Sequence, residues 1–190
     1  MNETEVKQLF IETGAILEGH FLLTSGLHSP MYVEKFQVLQ YPKHTEKLCA
    51  AMAERFKNDN IELVVGPVTG GVILAHEVGK HLNTRAIFTE RENGKMTLRR
   101  GFVIEKNQRV LIVEDIVTTG GSVKEVVDVV REHGGIPVAV GMLVDRSGGK
   151  VDFGIPSQAL LNLTVPTYES ESCPLCKENV PITKRGSRKI

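Results

Sequence analysis

Between residues 61 and 163 the chain repeats one pattern: a short apolar run, a polar or glycine-bearing turn, then an amphipathic segment. The runs at 61–65, 85–89, 110–113, 137–144 and 159–163 read as strands. The segments at 72–82 and 122–133 carry apolar residues at helical spacing and read as the helices between them. Strands this uniformly apolar have no polar face to turn toward water, so they belong to a parallel sheet covered on both sides. The fold class expected is therefore α/β, a parallel-sheet core flanked by helices. A sheet of this kind gathers its ligands at the carboxyl ends of its strands. At 190 residues there is enough chain for one substantial core.

The first sixty residues do not follow the alternation. Asn2 and Glu5 stand at capping-box spacing, Val6, Leu9 and Phe10 form one stripe, and Gly14 suits the position just past a helix end. Phe21, Leu22 and Leu23 run into Thr24, Ser25 and Gly26, and after a polar turn Pro30, Met31, Tyr32 and Val33 follow. This predicts a β-hairpin in a small subdomain over residues 1–41. Pro42 then opens a helix to about residue 58, with Leu48, Ala51, Met52 and Phe56 near one face and Cys49 beside them as a small core residue. The core is expected over 42–166 and an irregular tail over 167–190, all within a single domain.

Charge narrows the partners. Basic and acidic side chains balance at 23 each, so no global field draws the chain to nucleic acid or anionic lipid, and any anion site must be local. No apolar stretch approaches the roughly 18–20 residues of a membrane span, and the acidic N-terminus does not read as a secretory signal. An odd count of three cysteines argues for a reducing compartment, and the expected location is cytoplasmic.

The local anion site is legible at residues 110–122, VLIVEDIVTTGGS. An aliphatic strand meets two adjacent carboxylates, Glu114 and Asp115, then Ile116 and Val117, then the loop Thr118-Thr119-Gly120-Gly121-Ser122. Glycines let backbone N–H groups approach a ligand closely, and the helix start that follows adds further free donors. Ser122 and Glu125 stand at capping-box spacing for that helix. Carboxylates accept only, so their partners are hydroxyl groups or a metal ion. A sugar 5-phosphate satisfies both ends. A second glycine loop, Gly66-Pro67-Val68-Thr69-Gly70-Gly71, follows an earlier strand and precedes another helix.

The thirteen-residue stretch resembles the signature of type I phosphoribosyltransferases, which bind phosphoribosyl pyrophosphate (PRPP), and the alternation matches the core of that family. The resemblance implies that Glu114 and Asp115 hold the ribose hydroxyls while residues 118–122 cradle the 5-phosphate. It implies that Thr69 and Gly70 help bind pyrophosphate through backbone N–H groups, since this chain has Gly70 where many relatives carry lysine. It further implies magnesium as cofactor, held through PRPP with no direct protein ligand assigned. Arg91 and Lys95 match basic residues of a mobile cover that often reaches the active site of a neighbouring subunit, so a homodimer with shared sites is implied. Arg99 and Arg100 follow them in the same segment. Lys95 and Arg91 are the candidate catalytic residues.

The acceptor rests on other segments. Residues 22–32 resemble the N-terminal hood of orotate phosphoribosyltransferases, with Thr24 where a lysine usually stands. Tyr32 could stack on a flat pyrimidine, Thr118 faces both phosphate and base in the family, and Arg146 sits where the family places an arginine for the orotate carboxylate. An arginine fork matches a carboxylate, a group that purines lack. The implied reaction is transfer of phosphoribosyl from PRPP to orotate. A purine phosphoribosyltransferase and a non-catalytic PRPP-binding regulator are the rivals. Cys173 and Cys176 have metal-ligand spacing but supply half of a four-ligand zinc site, so they read as an incidental or redox-sensitive pair, although a dimer could supply the other half. His20, His44, His76, His81 and His133 read as scattered, His28 as a turn residue, and the basic residues from Lys184 onward as a solvated terminus.

Overall fold

The computed structural model describes residues 1–23 and 25–185. Thr24 and the last five residues of the basic terminus therefore lie outside the described residues. The chain opens with helix α1 (Glu3–Glu12), and the expected capping box is present: Asn2 accepts from Glu5 N while Glu5 accepts from Asn2 N. Strands β1 (Ile16–Leu22) and β2 (His28–Val33) form the expected antiparallel hairpin. A short helix α2 (Phe36–Leu39), not anticipated from sequence, leads into α3 (Pro42–Phe56).

The alternating region then unrolls as β3 (Leu63–Pro67), α4 (Gly70–Leu82), β4 (Arg85–Glu92), β5 (Lys95–Leu98), β6 (Arg109–Val117), α5 (Gly121–Glu132), β7 (Ile136–Asp145) and β8 (Ser157–Asn162). The sheet order is β5-β4-β3-β6-β7-β8, parallel throughout except for β5, which turns back along β4. Asn93 and Gly94 make that turn, both with positive φ, as a two-residue hairpin loop requires.

Alternate residues of each strand feed opposite layers. Leu111 and Val113 of β6 join α1, α3 and α4 in one buried cluster, whereas Val110 and Ile112 join Val123, Val126, Val127 and Val130 of α5 in the other. Helices α4 and α5 thus leave adjacent strands β3 and β6 toward opposite faces. The chain also reverses its direction of travel across the sheet between these strands, the topological switch point where a ligand crevice opens. Cys49 is completely buried within the first cluster, and burial pushes its thiol up to about 12, in keeping with a core role.

Three readings require correction. Strand β6 does not stop at Val113; it runs on through Glu114, paired with Met142, and Asp115 to end at Val117. No capping box opens α5: its N-cap is Gly120 in the left-handed region, with no side-chain cap bond, and Ser122 lies inside the helix, which begins at Gly121. The tail is not irregular either. Tyr168 bridges His28, a 3-10 turn (Ser170–Ser172) and a short helix α6 (Pro174–Lys177) follow, and β9 (Thr183–Lys184) pairs parallel with β1. The terminal segment becomes the third strand of the hairpin's own sheet, order β2-β1-β9.

Candidate active site

A cleft of about 690 Å³ opens at the carboxyl edge of β6, between the main sheet and the hairpin subdomain. Its floor is the expected stretch. Glu114, Asp115, Ile116, Val117, Thr118, Thr119, Gly120, Gly121 and Ser122 all line it. Gly120 adopts φ +73°, and a Cβ there would strike Val151 and Phe153, so only glycine turns this corner. The first α5 hydrogen bond runs from Lys124 N to Gly120 O. The preceding N–H groups therefore lie at the open start of the helix, where a phosphate is favoured.

The carboxylates are buried despite facing the cleft. Glu114 is 9% exposed and Asp115 is 2% exposed. Glu114 Oε1 accepts from Asp115 N at 2.9 Å, and Lys35 Nζ lies 2.9 Å from each Asp115 oxygen. Burial raises both carboxyls, and for Glu114 the neighbouring Asp115 adds to that push, taking it to about 8. Lys35 beside Asp115 opposes that upward push there. Burial pulls Lys35 down, but Asp115, the hydrogen bond between them and Glu114 outweigh it and hold the ammonium above its usual range. Sequence reasoning missed Lys35. It follows β2 directly, and only the pairing of that strand aims it across the cleft.

Arg146 is the other half-buried cation. Asp145 pairs with Val117 across the sheet, and Arg146 N donates to Val117 O at 2.8 Å, so Thr118 and Arg146 leave neighbouring strand ends side by side. Asp145 does not neutralise Arg146. Its oxygens accept from Ser147 N and Gly149 N, shaping the following turn. Among the described residues no carboxylate pairs with Arg146, and its Nε is buried without a hydrogen-bond partner. Burial draws its pKa down, opposed in part by the nearby Tyr32 hydroxyl. Tyr32 also lines the cleft, from β2.

The second glycine loop is shorter than expected. Strand β3 runs through Pro67 and α4 begins at Gly70, leaving Val68 and Thr69, joined by a cis peptide bond. Gly70 packs so closely on Asp115 that a Cβ would collide with the carboxylate. This contact sets the diphosphate-loop candidate directly beside the acidic pair.

The basic residues of the β4–β5 hairpin are not brought into the cleft together. Arg91 lines it, yet its guanidinium is held by Glu125 at 2.6 and 3.0 Å and by Gly94 O at 2.9 Å. Lys95 is exposed at the start of β5, beside a separate depression formed with Glu125, Asp128 and Glu132 of α5. Arg100 pairs with Glu90 and Arg99 with Glu92. Of this segment, only Arg91 reaches the cleft of its own chain.

The donor set of the floor is hard oxygen throughout, carboxylates and hydroxyls, which suits magnesium held mainly through a ligand's own oxygens. Among the described residues, no helix is long and apolar enough to cross a membrane.

Comparison with known proteins agrees with this geometry. Residues 37–153 match the phosphoribosyl transferase domain. The orotate phosphoribosyltransferase of Desulforamulus reducens is 51% identical over 190 residues, covering all of both chains. That of Thermotoga maritima is 49% identical over 183 residues, covering 96% of this chain and 98% of its own. Among solved structures, orotate phosphoribosyltransferase from Aeropyrum pernix superposes with TM-score 0.71 at 24% identity, covering 83% of this chain and 93% of its own. Adenine phosphoribosyltransferase from Rhodothermus marinus does so with TM-score 0.64 at 23% identity, covering 85% and 100%. Enzymes for different bases share this fold, so the fold alone does not choose the acceptor.

Proposed function

Because this chain belongs to the phosphoribosyl transferase family, we propose that it is an orotate phosphoribosyltransferase, joining a ring nitrogen of orotate to the anomeric carbon of PRPP as the bond to pyrophosphate breaks. The observation that carries the choice of acceptor is Arg146: a half-buried guanidinium beside Thr118 and Tyr32, with a buried Nε that no group among the described residues satisfies. A ligand carboxylate would supply both the charge and the acceptor, and orotate has one. The purine reading offers no partner for this group, and the full-length likeness to enzymes named for orotate supports the same choice.

Glu114 and Asp115 accept the ribose hydroxyls, residues 118–122 cradle the 5-phosphate, and Thr69 and Gly70 offer backbone N–H groups to the diphosphate. Lys35 releases Asp115 to the incoming sugar and stays beside it as a cation. Magnesium, bound through PRPP, would supply positive charge toward the leaving group, and Glu114 and Asp115 are the cleft carboxylates that would help hold it. Positive charge develops on the ribose as pyrophosphate departs, so cations placed on the leaving group lower the barrier. Lys95 is remote from its own cleft, which fits delivery across a homodimer to a neighbouring site. Its retention favours catalysis over a purely regulatory binding role. The working location is the cytoplasm.

The test is acceptor choice. Pyrophosphate release from PRPP should depend on orotate; release with adenine or hypoxanthine and none with orotate would overturn the assignment.

A further inference from the structure

Two histidines and a cysteine pair that the sequence does not connect come together on the hairpin subdomain. His20 on β1, His28 on β2, Cys173 at the N-cap of α6 and Cys176 within it place one ligand atom each within 4.8 Å of all the others. His20 Nε2 lies 2.9 Å from His28 Nδ1, 3.6 Å from Cys173 Sγ and 3.8 Å from Cys176 Sγ, and Cys176 Sγ lies 3.2 Å from His28 Nδ1. Tetrahedral zinc with Zn–S near 2.3 Å and Zn–N near 2.0–2.1 Å spaces its ligands roughly 3.3–3.8 Å apart. The cluster has nearly those edges. We propose that His20, His28, Cys173 and Cys176 form a structural zinc site that fastens the C-terminal segment to the hairpin.

Three further observations fit that chemistry. Both cysteines are free thiols, and Cys173, His20 and His28 are buried at 0%, 3% and 7% exposure. The other nitrogen of His20, Nδ1, sits 2.7 Å from Val180 O, so a proton there donates to the carbonyl and leaves Nε2 with its lone pair facing the cluster. That outer hydrogen bond is the usual device for orienting a metal-bound imidazole. Lastly, the subdomain needs a fastener. Its three strands bury few apolar side chains, chiefly Phe21 and Val33, and β9 adds only two residues to the sheet. Small sheets with so little core are commonly held by a metal. All four positions are supplied by one chain, so the half-site implied by Cys173 and Cys176 alone needs no second copy. The reading of the histidines as unrelated does not survive this geometry. Occupancy is independent of acceptor choice: the site could fail with catalysis intact, or hold with another acceptor.

Metal content decides the matter on the full-length chain. Protein refolded or purified with zinc, then passed over a chelating column, should retain about one zinc per chain. Titration of the apo-protein with cobalt should give the intense visible bands of a tetrahedral ion together with thiolate-to-metal absorption. Cys173→Ser should lower zinc content at least about tenfold, whereas His28→Cys, which keeps four ligands, should retain the metal and shift the cobalt bands toward three-thiolate coordination. Wild-type protein that binds no zinc or cobalt under reducing conditions, or that binds cobalt only with a weak octahedral spectrum, would overturn the proposal without any variant. So would zinc retained undiminished in a folded Cys173→Ser, Cys176→Ser double variant.

Discussion

The floor of the cleft comes from one uninterrupted run of nine residues, 114–122, whereas its far wall is assembled from β2, the segment after β7 and the C-terminal tail. The floor is rigid for ordinary reasons: β6 lies between β3 and β7, and its aliphatic residues are buried on both faces of the sheet. The wall relies on directed contacts, an ion pair from Lys35, a strand of two residues, and the His–Cys cluster. Apolar layers tolerate small shifts and fold by pattern; polar joints need particular atoms in register. The floor is thus part of the core, and much of the wall is part of an attachment to it.

This division can be broken experimentally, and the largest effect is expected where neither region of one chain suffices. Lys95→Ala should lower kcat by roughly 10²–10³, as for loss of one preorganised charge stabiliser, with KM for PRPP changed little. Mixing Lys95→Ala with an inactive Asp115→Asn protein should restore part of the activity, because a hybrid dimer would contain one intact site. An unchanged kcat would remove Lys95 from the mechanism. No recovery on mixing, with subunit exchange confirmed, would confine chemistry to single chains.

A smaller and more selective effect is expected at the wall. Arg146→Ala removes a charge-assisted pair of about 1.5–3 kcal/mol, roughly a 10–150-fold rise in KM for orotate. PRPP affinity measured by calorimetry should stay within about twofold, because the phosphate loop does not depend on Arg146. Equal losses for both ligands would mean that floor and wall are one unit.

A third effect, on stability and not on activity, concerns the floor alone. Glu114 has its folded carboxyl raised from the usual 4.5 to about 8 by burial and by Asp115. Between those values the folded chain binds more protons than the unfolded chain, so stability without ligand should fall as pH rises from about 4.5 to 8. Below 4.5 this contribution is fully present. Glu114→Gln should flatten that part of a Tm-against-pH curve; an identical slope in the variant would show that another group controls it.

Legibility in the sequence follows the same line. Strand–helix alternation revealed the central strands and their helices because burial on both faces leaves a continuous apolar run, as in Val110, Leu111, Ile112 and Val113. The phosphate loop was readable because its function needs consecutive residues. Strand ends were less so: Glu114 and Asp115 look like loop residues by composition, yet β7 pairing holds Glu114 in the strand. Lys35 carried no signal, since its partner lies 80 residues away. His20 and Cys173 are 153 residues apart, and neither has a local motif that points to the other. The Ser122–Glu125 spacing misled for a physical reason: a left-handed glycine occupies the cap, and Ser122 lies inside the helix.

The absence of a side chain at position 70 has its own consequence. The Asp115 carboxylate fills the space where a Cβ at Gly70 would project, so a side chain at position 70 requires that carboxylate to shift. Under the proposed reading, countercharge for the departing diphosphate has to be imported, from the ion that travels with PRPP and from a lysine borne by another molecule. Turnover then becomes a collective property, sensitive to dilution and subunit exchange in a way that donor binding is not.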